Sequence, residues 1–118
     1  MHQYILLLYE TPAAYAGLSP AELGAIIERY AAWAQSLAER GLLAGGEKLV
    51  DDGGRRLLRR GDAILASDGP YAEAKDVIGG YFVIRAESDA AAEALARESP
   101  HLDRDGQWIE LRRIDPTS

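Results

Sequence analysis

From Gln3 to Tyr9 the chain reads QYILLLY, a short run that is apolar at both sets of alternating positions. Successive side chains of a strand point to opposite faces. Tyr4, Leu6 and Leu8 therefore share one face, and Ile5, Leu7 and Tyr9 the other. A strand of this kind needs cover on both sides. The chain has 118 residues, the length of one domain. A hydrophobic fraction of 47% is enough for one core.

The rest of the chain supplies part of that cover. Ser19, Pro20 and Glu22 predict a helix start: an N-cap, a proline at the first helical position and a capping box. Leu23, Ile26, Ile27, Tyr30, Ala34, Leu37 and Ala38 recur at helical spacing, and Gly41 supplies a terminator. Trp33 lies on the flank of that stripe and reads as a core or interface residue. Residues 42–50 predict a second strand, with Gly45-Gly46 permitting a bulge. Turns at 51–54 and 60–62 bracket two short strands, 55–59 and 63–67, as an inserted hairpin. A polar loop covers 68–79, and a strand follows at 80–86. Ser88 or Asp89 caps a second helix running to Arg97 and closed by Pro100, before a last strand from Trp108 to Ile114. Residues 1–118 form one domain in this reading, with 115–118 as a tail.

Without the hairpin the order is β-α-β-β-α-β, the ferredoxin-like arrangement of an α+β domain. Two helices cover one face of such a sheet. At roughly 25 cal/mol per Å² of apolar surface, leaving the other face wet forfeits several kcal/mol. A second copy is the simplest cover, because symmetric pairs are the commonest soluble assembly. The expectation is a homodimer closing into an α+β barrel.

Composition narrows function by exclusion. There is no cysteine, which removes disulfides, thiolate metal ligands and a thiol nucleophile. The two histidines stand far apart, so no metal site is expected. The net charge of -6 disfavours nucleic acid as a partner, although Arg55-Arg56 and Arg59-Arg60 cluster on the hairpin. GGEKLVDDGG lacks the strand–GxGxxG–helix context of a dinucleotide site, and no other cofactor motif occurs, so no cofactor is expected. The opening apolar run is too short for a signal segment or a membrane span, and a cytoplasmic location with no membrane partner is the expectation.

The most distinctive stretch is Ser67-Asp68-Gly69-Pro70-Tyr71-Ala72-Glu73-Ala74-Lys75-Asp76, leading to Gly79-Gly80-Tyr81. Together with YILLLYE, ERGLLAGGEKL, PHL and IELRRI it resembles the YCII-related family, in the branch named for its Asp-Gly-Pro-Phe motif. Tyr71 replaces the motif's Phe and adds a hydroxyl, and Ala74-Lys75-Asp76 stands where Thr-Lys-Glu is usual. The resemblance implies a ferredoxin-like dimer. It also points to a His–Asp pair, which some members contain.

His101 is the only internal histidine, and Asp68 opens a rigid turn at a strand end. Paired, they would form a cofactor-free acid–base dyad of isomerase or lyase type, Asp68 orienting the imidazole. Tyr9, Gly69, Pro70, Tyr71, Glu73 and Lys75 would then hold a small molecule at the barrel or dimer interface. The plainer reading of each is structural: His101 exposed or capping carbonyls, Glu73 and Lys75 a solvated ion pair, Tyr9 a core residue and Glu10 a surface charge. The alternative function is a non-catalytic ligand sensor or, as the resemblance to that family also implies, an accessory of alternative sigma-factor signalling.

Overall fold

A computed structural model describes residues 1–11, 13–69 and 76–117. Its elements in chain order are β1 (His2–Glu10), α1 (Pro20–Glu39), β2 (Leu43–Lys48), β3 (Arg55–Arg60), β4 (Ala63–Asp68), β5 (Val77–Ala86), α2 (Asp89–Arg97) and β6 (Trp108–Arg113). A 3-10 turn, Pro100–Asp103, joins α2 to β6. The sheet order is β2-β5-β1-β6, with every neighbouring pair antiparallel. The β3–β4 hairpin forms a separate two-stranded sheet. This is the expected ferredoxin-like α+β order with its insertion.

The local signals act as their chemistry requires. Ser19 Oγ accepts from the Glu22 N–H at 3.1 Å, and the Glu22 carboxylate accepts from the Ser19 N–H at 3.2 Å. Gly41 ends α1 with φ 71°, a conformation other residues adopt at a cost. Ser88 caps α2 by accepting from the Ala91 N–H at 3.1 Å. The sheet is then tied to the start of that helix: Tyr4 donates its hydroxyl to Asp89 at 2.6 Å.

Alternation along β1 sends Tyr4, Leu6, Leu8 and Glu10 toward the helices, and all four are buried. Leu6 pairs with Phe82 of β5 and with Leu111 of β6, which makes β1 the central strand of the core. Trp33 and Leu37 of α1 and Ala92, Leu95 and Ala96 of α2 close over this face. Trp33 packs edge-on against Phe82 with ring centroids 5.0 Å apart.

Two expectations need correction. The buried stripe of α1 is Ile26, Trp33 and Leu37, while Ile27 is 59% exposed. The first turns of the helix stand away from the sheet over a cavity, so Leu23 and Ile27 line its wall instead of filling the core. The strand expected at 80–86 begins at Val77, because β1 runs on to Glu10 and offers Val77 and Ile78 partners there.

Among the described residues, no helix lies on the opposite face of the sheet. Ile5, Leu7, Tyr9, Tyr81 and Val83 are half-buried there. Tyr9 stacks on Trp108 with centroids 3.9 Å apart and donates to Glu110 at 3.0 Å. Among the described residues, no helix is long and apolar enough to cross a membrane.

Leu37 is fully buried, so Leu37→Ala is expected to cost about 2–5 kcal/mol in transfer and cavity terms, read by urea denaturation.

Candidate functional site

The inward alternation of β1 sets a carboxylate where the pattern calls for an apolar residue. Glu10 is only 4% exposed. Room for it comes from an irregularity between β1 and β5: the register shifts between Leu8 and Tyr9, leaving Gly79 as the extra residue. A Cβ at position 79 would overlap the end of the Glu10 side chain, so the glycine leaves the carboxylate room to sit there.

Glu10 faces a cavity of about 500 Å³ between the first half of α1 and the ends of β1, β2 and β5. Leu8, Leu23, Ile26, Ile27 and Phe82 form its apolar wall. Glu10, Tyr15, Tyr30, Lys48, Asp51 and His101 form its polar end. It lies on the helix side of the sheet within one chain, away from the face expected to meet a second copy.

The polar groups at that end are connected. His101 sits in the 3-10 turn, 1% exposed. Its Nε2 is 2.7 Å from the Tyr9 carbonyl, which can only accept, so Nε2 carries the proton. Nδ1 is then an acceptor and takes the Tyr30 hydroxyl proton at 2.7 Å. The Tyr15 hydroxyl is within hydrogen-bonding reach of both Tyr30 and Glu10. Glu10, Tyr15, Tyr30 and His101 thus form one polar cluster at this end of the cavity.

Electrostatics follow from burial. Desolvation raises the Glu10 carboxyl above its usual range, outweighing the opposing pull of Lys48 and Arg104. Desolvation also raises the hydroxyls of Tyr15 and Tyr30, keeping both protonated. His101 is pushed down, chiefly by burial, and stays neutral. The Tyr15 ring lies near two cations, with Lys48 Nζ 5.6 Å and the Arg104 guanidinium 5.3 Å from its centroid. Arg104 is held by the Ala14 carbonyl at 2.6 Å, and Lys48 by Asp51 at 3.2 Å.

The anticipated Asp68–His101 pair does not form within this chain. Asp68 ends β4 with its side chain 90% exposed and bonds to Arg55 at 2.7 Å. Both ring nitrogens of His101 already have partners. The plainer reading of His101 as exposed is corrected as well: Pro100 begins a 3-10 turn that folds the ring inward. Tyr9 directs its side chain to the far face, and only its carbonyl joins the network. Gly69 is buried at the hairpin's root, where its N–H donates to the Gly54 carbonyl at 3.2 Å. Pro70, Tyr71, Glu73 and Lys75 lie outside the described residues.

Glu10, Tyr15, Lys48 and Asp51 were not anticipated as site residues. Glu10 had a signal, since it continues the Tyr4-Leu6-Leu8 series by one more step of two. Tyr15 lies in a loop and had none. Among the described residues, no group of three or more potential ligands could hold a metal ion.

Two helices on one face of an antiparallel sheet ordered β2-β5-β1-β6 define a ferredoxin-like α+β domain, here with an apolar cavity, polar at one end, beneath the first helix. The YCII-related domain matches residues 2–116, and the chain belongs to that family. The comparison with curated proteins found no match.

The raised Glu10 value has a consequence for stability. Above the ordinary carboxylate range, the folded chain keeps a proton that the unfolded chain has released. The contribution of Glu10 is therefore complete at acid pH and declines as pH rises through its raised value. His101 acts in the other direction: its stability contribution declines as pH falls below the ordinary imidazole range. Glu10→Gln is expected to match or exceed the wild type in urea stability at neutral pH, with the gap closing toward acid pH.

Proposed function

We propose that this YCII-related protein binds a small, mainly apolar molecule in the α1 cavity and moves a proton on it without a cofactor. The observation that carries this reading is the buried Glu10 carboxylate facing a cavity large enough for a ligand. A base with a raised value abstracts protons near neutral pH more effectively than an ordinary carboxylate, because its conjugate acid is better matched to the medium. Tyr15 stands beside Glu10 and is the donor that would steady charge developing on the substrate. Tyr30 and His101 fix Tyr15 from behind. His101 is thus a positioning residue here, and the orienting part expected of Asp68 falls to the Tyr9 carbonyl.

Ligand charge follows from the lining. Glu10 and Asp51 outnumber Lys48, which is already paired. Neutral molecules with an acidic C–H or O–H suit this end of the cavity, and phosphate esters and carboxylates do not. The chain's Asp-Gly-Pro sequence supports placement in the Asp-Gly-Pro-Phe branch of the family. The half-buried apolar residues on the helix-free face support pairing with a second copy across that face. A sensor that only binds ligand needs the cavity but not the buried carboxylate, which is why the catalytic reading is preferred to a signalling accessory.

The test is deuterium incorporation from D₂O into a panel of small uncharged ketones and hydroxyaromatics, followed by NMR. The wild type is expected to catalyse exchange on at least one of them, with a rate that climbs as Glu10 ionises. Glu10→Gln should lose about 100-fold or more of that rate. Tight binding without exchange, equal in both proteins, would instead identify a sensor.

A further inference from the structure

The β3–β4 hairpin is anomalous for a water-soluble domain. Among the described residues it pairs only with itself. Leu57 and Ile64 are 73% and 55% exposed on one of its faces, and Leu58 and Leu65 are 48% and 46% exposed on the other. A two-stranded hairpin alone in water is marginal at best, and exposed leucines on an unpaired edge invite association. The projection also marks the overall shape. The radius of gyration is 16.1 Å, against roughly 13 Å for a compact domain of this length.

Charge identifies what covers it. The hairpin carries Arg55, Arg56, Arg59 and Arg60 against Asp62 and Asp68, so it is basic. The whole chain is at net -6, so the body outside the hairpin is more acidic still. Arm and body therefore have opposite sign on the same polypeptide, and Glu47 and Glu110, on the outer strands β2 and β6 in register with Tyr81 and Leu7, set carboxylates at both margins of the helix-free face. An acidic body also opposes a polyanion beside the arm.

We propose that the hairpin is an exchange arm: each copy lays its Leu57–Ile64 face along the margin of its partner's helix-free sheet face. A two-fold pair makes this contact twice, covering both arms at once. The inference rests on the pairing of two copies proposed above and adds the element that secures it. It does not depend on the chemistry assigned to Glu10.

Sedimentation over a dilution series tests it with three full-length chains: wild type, Leu57→Ser/Ile64→Ser and Arg59→Glu/Arg60→Glu. Far-UV circular dichroism serves as the check that the body stays folded, since none of the four residues belongs to the core. The expected result is a wild-type dimer and an increase of about tenfold or more in the dissociation constant for each variant. A wild-type monomer at every concentration would overturn the pairing and the arm together. A wild-type dimer that neither variant weakens would overturn the arm alone and leave sheet-face pairing standing. Wild-type protein that carries nucleic acid, lost in the double glutamate variant, would overturn it by giving the arm another occupant.

Discussion

Taking a carboxylate out of water is costly, and the end of β1 is arranged around that cost. Glu10 occupies an inward position on the central strand, so its burial follows from the same alternation that builds the core from Tyr4, Leu6 and Leu8. The register shift and Gly79 open the space it fills. Tyr15 and, through Tyr30, His101 supply the polar surroundings that a buried charge needs. A carboxylate held at such a cost beside a cavity is what the proposed proton-transfer role would account for.

The same geometry gives His101 a part different from a mobile acid–base group. Its Nε2–H is anchored on the backbone of β1, and its Nδ1 fixes the Tyr30 proton. That arrangement sets the direction of the whole hydrogen-bond series, leaving the Tyr15 hydroxyl to turn between Tyr30 and Glu10. Neutral His101 and protonated tyrosines surround the Glu10 carboxylate with hydrogen-bonding dipoles at the polar end of the cavity.

Local chemistry made the framework legible in the sequence. Ser19-Pro20 with Glu22, Gly41, Ser88 and the two turns of the hairpin are short-range signals, and each acts within a few residues of itself. The site was less legible because its members meet only through tertiary packing. His101 stood out as a residue type, but its partners come from β1 and α1, distant in sequence. Asp68 stood out for its turn, yet the hairpin carries it to an exposed position beside Arg55. Glu10 was legible in the sequence, since the alternation that places Leu8 inside also places Glu10 inside. Reading it as a surface charge gave composition priority over register.

The central claim is that Glu10 is a desolvated base coupled to Tyr15. Titrating the side-chain carboxyl carbon of Glu10 by ¹³C NMR measures this directly, in the wild type and in Tyr15→Phe. The account requires a wild-type midpoint above the ordinary glutamate range. It also requires a further upward move in the variant, since the Tyr15 hydrogen bond favours the ionised form. An ordinary midpoint that ignores the loss of the hydroxyl would contradict it.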